Sequence, residues 1–130
     1  FKKHFWDKLA CGGLPLPLAT ALYDGAVNMG PARAVRQMQR AMNAVGESEL
    51  DRYAAIAEDG IMGPRTTQLA EALEQSGQHW YAARQMLRLR DVFYRDLAAR
   101  RPSMQVFLFV FRNRVKALGQ YLAELEREEN

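Results

Sequence analysis

Apolar residues recur along this chain at steps of three and four, and nowhere in the strict alternation of a half-buried strand. Val35, Met38, Met42 and Val45 follow a 3,4,3 spacing, with Arg33, Arg36 and Arg40 on the opposite side. That pattern predicts an amphipathic helix over 32–45. Met86, Leu89, Phe93 and Leu97 form a second stripe, flanked by Ala83, Leu87 and Tyr94, and predict a broadly apolar helix over 79–100 that Pro102 ends. Phe107, Phe111, Val115, Leu118, Leu122 and Leu125 predict a last helix over 103–126. A short helix over 2–10 carries Phe5, Trp6 and Leu9 and stops at Gly12-Gly13. Another runs to Asn28 with Leu18, Leu22 and Val27 as core candidates, led in by Pro15 and Pro17. Pro64 opens one more, ending near Ser76-Gly77. The expectation is an all-α fold of about six helices, with a loop over 46–58 that includes a helical turn around Leu50–Ala57.

Length and charge narrow the class. The 130 residues fit one domain, expected over 1–123, followed by an acidic tail over 124–130 that should fray. Formal net charge is +3. Setting aside the tail, with Arg127 and its four glutamates, leaves 17 basic against 11 acidic residues. Such a balance is compatible with an ion-paired helical surface or with affinity for an anionic polymer. No apolar run reaches the length of a membrane span; the run over Val106–Phe111 is too short. The N-terminal segment has no signal-peptide pattern and no initiator Met, so the chain can begin inside a longer product. The compartment is not fixed by these features.

Candidate chemistry is sparse. Cys11 is the single cysteine and reads as a structural thiol; with His4 and His79 it makes no metal site. No cofactor motif occurs. Three stretches stand out. Asp24 and Asn28, four apart before Gly30, share a helix face and either line a cleft or bond at the helix end. In Asp59-Gly60-Ile61-Met62-Gly63-Pro64-Arg65-Thr66, Asp59 can accept backbone hydrogen bonds, Gly60 and Gly63 permit positive φ, and Thr66 can cap the next helix. In Phe107–Val115, Arg112 and Arg114 flank an aromatic stripe of core type. A helix-turn-helix with Arg33, Arg36 and Arg40 as its reading face is a third, nucleic-acid alternative, because short helices with a basic stripe can enter a groove.

Taken in order, these motifs resemble the glycoside hydrolase family 108 N-acetylmuramidases of phage type, in their later, peptidoglycan-binding portion. The resembling elements are Phe5-Trp6, the Asp24/Asn28/Gly30 helix end, Gln39, the Asp59/Gly60/Gly63/Pro64/Thr66 turn, Arg90/Tyr94, and Asn113-Arg114-Val115, covering nearly the whole chain. The resemblance implies a lysozyme-like helical domain, peptidoglycan as partner, and substrate contacts from Asp24, Asn28, Gln39, Asp59, Tyr94 and Arg114. Two departures stand out. The family's catalytic glutamate lies in a Glu-Gly-Gly motif that does not occur here, and its Gly-Trp pair is replaced by Val110-Phe111.

Glycoside cleavage of this kind needs a carboxylic acid of raised pKa to protonate the leaving oxygen. The expectation is therefore a peptidoglycan-engaging module without hydrolytic activity as this chain alone. The alternatives are a muramidase-type scaffold reused to bind or inhibit a bacterial protein, and part of an active muramidase whose glutamate lies upstream. A phage lytic parent would be made in the cytoplasm and act on the periplasmic wall.

Overall fold

A computed structural model describes residues 13–129, and among them the fold is all-α. The first expected helix, with Phe5, Trp6 and Cys11, lies outside the described residues. Five α-helices follow in order: α1 (Leu16–Met29), α2 (Pro31–Glu49), α3 (Pro64–Gln75), α4 (His79–Arg100) and α5 (Gln105–Glu129), with one 3₁₀ turn at Pro102–Met104. The chain divides into two compact units, Phe1–Met86 and Leu87–Asn130.

In the first unit α1 packs along α2, and α2 against α3. Leu18 and Leu22 of α1 and Val35, Met38, Met42 and Val45 of α2 are buried, as their spacing requires. Val27 is a correction: it is 52% exposed, and Gly25 and Ala26 take the core positions instead. Nine residues beyond Leu18, at about 100° per residue, Val27 points away from the face that Leu18 buries. Small residues at 25 and 26 let the two helices run close together.

One residue separates α1 from α2. Gly30 donates its N–H to the Ala26 carbonyl at 2.9 Å and accepts from Ala34 N–H at 3.1 Å, so it closes one helix and opens the next. Its φ of 94° and ψ of 151° lie in a region open essentially to glycine. Pro31 and Pro64 occupy first turns, where the missing N–H costs nothing.

The boundary expected at Gly46 is not where α2 ends. The helix continues to Glu49, and no helical turn forms over 50–57. Gly46 is instead the place where the Tyr53 ring crosses the helix: a Cβ there would lie 2.5 Å from Tyr53 Cε1. A glycine that reads as a breaker is a contact point.

In the second unit Tyr94 of α4 is buried and stacks on Phe111 of α5, centroids 4.7 Å apart. Val115 and Leu122 of α5 are also buried. Asp91 takes Arg112 on one oxygen at 2.9 Å and Arg95 on the other at 3.2 Å. Gln105 Nε2 donates to the Ala98 carbonyl at 2.9 Å across the turn between α4 and α5. The acidic residues 124–129 continue α5 as helix.

Candidate functional site

Residues 50–63 contain no helix or strand, so their backbone donors and acceptors must find partners elsewhere. Two side chains of α2 supply them. Gln39 and Asn43 are four residues apart and share one helix face. Gln39 is 1% exposed. Its Nε2 donates to Asp59 Oδ1 (3.1 Å), the Ile61 carbonyl (3.0 Å) and Thr66 Oγ1 (3.1 Å), and its Oε1 accepts from Gly60 N–H (2.9 Å). Two amide hydrogens serve three acceptors, so at least one is shared. Asn43 repeats the device one turn on. Its Nδ2 donates to the Ile56 carbonyl and to Glu58 Oε2, both at 2.9 Å. Its Oδ1 accepts from Ile56 N–H at 3.0 Å and from the Tyr53 hydroxyl.

The Asp-Gly turn fits this staple. Asp59 Oδ1 also accepts from Ile61 N–H at 3.0 Å, and Gly60 has the positive φ, 77°, expected of it. Gly60 is close-set as well: a Cβ there would lie 2.8 Å from the Ala32 carbonyl oxygen. Gly63, by contrast, is extended at φ −141°. Thr66 does not cap α3, whose N-terminus has no side-chain cap; it is buried within the helix and accepts from Gln39.

The electrostatics follow the hydrogen bonds. The Ile61 N–H and then the Gln39 amide hold the Asp59 carboxyl below the usual carboxylate range, with Arg36 adding attraction and desolvation opposing. Tyr53 is pushed upward, first by burial and then by the nearby charges of Glu47 and Glu58.

Two of the depressions that the loop borders share residues. One, of about 210 Å³, has Gln39 and Thr66 at its base and Asp59, Ile61, Pro64 and Arg65 around it. The other, of about 350 Å³, is lined by Tyr53, Ile56, Arg65 and Gln68 among others. Ile56 and Arg65 belong to both. The arrangement offers an exposed carboxylate, a guanidinium and apolar surface beside each other. Among the described residues no group of three or more His, Cys, Asp or Glu side chains is placed to hold a metal ion.

Of the six residues singled out from the sequence, Gln39 and Asp59 are brought together directly. Asn28 donates Nδ2 to the Asp24 carbonyl at 2.8 Å, so these two are joined at the end of α1. Tyr94 and Arg114 belong to the second unit, Tyr94 buried in the stack on Phe111 and Arg114 exposed on α5. That unit has its own groove of about 680 Å³, with Asp91, Phe109, Arg112 and Lys116 in its lining. Sequence reading missed Asn43, Tyr53 and Arg65. Asn43 had a signal: with Gln39 it makes a polar pair at four-residue spacing, each directly following a buried methionine of the α2 stripe.

No helix among the described residues is long and apolar enough to cross a membrane. Residues 33–116 match the family described as a predicted peptidoglycan domain, a span that contains both amides, the loop they hold and α3. No curated protein and no solved structure gives a significant match. With well over half of its length inside that match, this chain belongs to the predicted peptidoglycan domain family.

Proposed function

We propose that the chain engages peptidoglycan through the face presented by the loop over 50–63, as a module related to the N-acetylmuramidases. The observation that carries this reading is the family match, which encloses the stapled loop and both depressions. Glycans present hydroxyl and acetamide groups around apolar ring faces. Asp59 offers them an acceptor, Arg65 a fork of donors, and Ile61, 67% exposed, an apolar contact. Gln39 positions Asp59 and has its own amide engaged on both ends. Asp24 and Asn28 offer a second polar pair at the end of α1, and Arg114 a guanidinium for the carboxylates of the wall. Tyr94 is a supporting residue.

Hydrolysis by this chain alone is not expected. A glycosidic proton donor needs a raised pKa. Asp59 is shifted the other way, and no Glu-Gly-Gly occurs in these 130 residues. The test is sedimentation of the chain with purified, insoluble peptidoglycan, with release of reducing ends followed in the same tubes. Binding that falls at least tenfold in Arg65→Ala, with no release, supports the reading. Release of reducing ends refutes the inactive module. No co-sedimentation refutes wall engagement and turns the search to a bacterial protein partner.

A further inference from the structure

The first turns of α5 are apolar around their whole circumference, from Val106 to Phe111. Such a helix is normally covered on every side. Among the described residues only the inner side is covered: Phe111 stacks on Tyr94 and Val115 is buried, while Val106 is 72%, Phe109 74% and Val110 60% exposed. Phe107 is half exposed at the edge, beside Phe111. Together these side chains leave on the order of 400 Å² of apolar surface open, within the range of the largest patch on an ordinary monomer.

The charges around this strip are mostly basic, with the Asp91 carboxylate of α4, held between Arg95 and Arg112, in the groove beside Phe109. From Leu97 to Ala123 the sequence holds five cations, Arg100, Arg101, Arg112, Arg114 and Lys116, and no acid. At about 100° per residue, Val106, Phe109 and Val110 point outward together with Asn113 and Ala117. Arg112 and Lys116 fall along one border of this strip and Arg114 along the other. Long basic side chains on both borders of an apolar strip allow the strip to enter a lipid interface while the cations reach back to headgroups. The second half of α5 lacks this character, because Gln120, Glu124 and Glu128 continue the outer face.

We propose that the first half of α5 docks on an anionic lipid bilayer, lying along its surface without crossing it. The occupant is chosen by charge: an apolar strip alone would suit a second copy, but its basic borders would repel their own image. In peptidoglycan-free vesicles this docking is independent of wall binding, so the two proposals fail separately.

The experiment is vesicle co-sedimentation of the whole chain, using phosphatidylcholine alone and phosphatidylcholine mixed with phosphatidylglycerol. Binding is expected only to the mixed vesicles and is expected to weaken with salt. Phe109→Ser with Val110→Ser should lower it at least tenfold, and both sites are exposed, so the fold should survive. Arg114→Gln and Lys116→Gln should each lower it about fivefold. Phe109→Trp should report insertion as a blue shift of the added tryptophan emission. No binding to the mixed vesicles, or binding that the double serine variant leaves within twofold of the parent, overturns the proposal. So does a dimer in sedimentation velocity that this variant dissociates.

Discussion

Gln39→Leu removes the amide of the staple while keeping most of the side-chain volume. Four hydrogen bonds disappear. The partners on Asp59 and Ile61 face water and can be resolvated, so they are left out of the sum. Thr66 Oγ1 is buried and Gly60 N–H is partly so. Losing a partner at each costs about 1–1.5 kcal/mol, giving a destabilisation of about 2–3 kcal/mol. With a urea slope of about 1.5 kcal/mol/M, the midpoint should fall by roughly 1.3–2 M. Urea unfolding followed by far-ultraviolet circular dichroism measures this. Two local signals belong with it: faster hydrogen exchange at Gly60 N–H, and an Asp59 carboxyl whose titration moves up toward the ordinary range once its Gln39 donor is gone. A loss below about 0.5 kcal/mol with Asp59 titrating as before would refute the staple as the element that orders this loop.

Three other perturbations test neighbouring parts. Gly46→Ala should destabilise by about 1–2 kcal/mol, because overpacking against the Tyr53 ring outweighs the gain in helix propensity. In a Tyr53→Ala background the same change should stabilise by up to about 1 kcal/mol, a reversal of sign visible in thermal melts. Asp59 titrates lower in the fold than in the unfolded chain, so its ionised form favours the fold above about pH 4, and that contribution is lost as pH falls through the lowered value. The stability gap between the parent and Asp59→Asn should therefore shrink from neutral pH to about pH 2. Phe111→Ala removes the ring stacked on Tyr94 and should cost about 2–3 kcal/mol in chemical denaturation.

Periodicity exposed most of the helices, because burial on one face leaves a three-and-four spacing that survives in a single sequence. The α2 stripe and the solvent-facing Arg33, Arg36 and Arg40 came out as read. Val27 did not, because alanine and glycine at 25 and 26 carry no strong apolar signal even where they hold the core. Gly46 misled because a glycine required by the Tyr53 ring crossing it looks the same as one that ends a helix. In the candidate site the Asp-Gly turn was legible, since its demand for positive φ and for a local acceptor is written in adjacent residues. The amides that hold it were only half legible. Gln39 stood out through its place in a motif, while Asn43 is an ordinary polar residue until its loop partners are known. Tyr53 and Arg65 depend on how the loop folds over α2 and α3, which no local spacing encodes.

Gln39 and Asn43 grip residues 56–61 mainly through main-chain groups: the N–H and carbonyl of Ile56, the N–H of Gly60 and the carbonyl of Ile61. Main-chain groups are the same whatever side chains the loop bears. The course of the loop is therefore set largely by two positions on a helix, while the exposed side chains of Ala54, Ala55, Ala57 and Ile61 make none of these bonds. Shape and surface chemistry are inherited separately here. Descendants of this chain can exchange the outward residues without redrawing the path of the backbone.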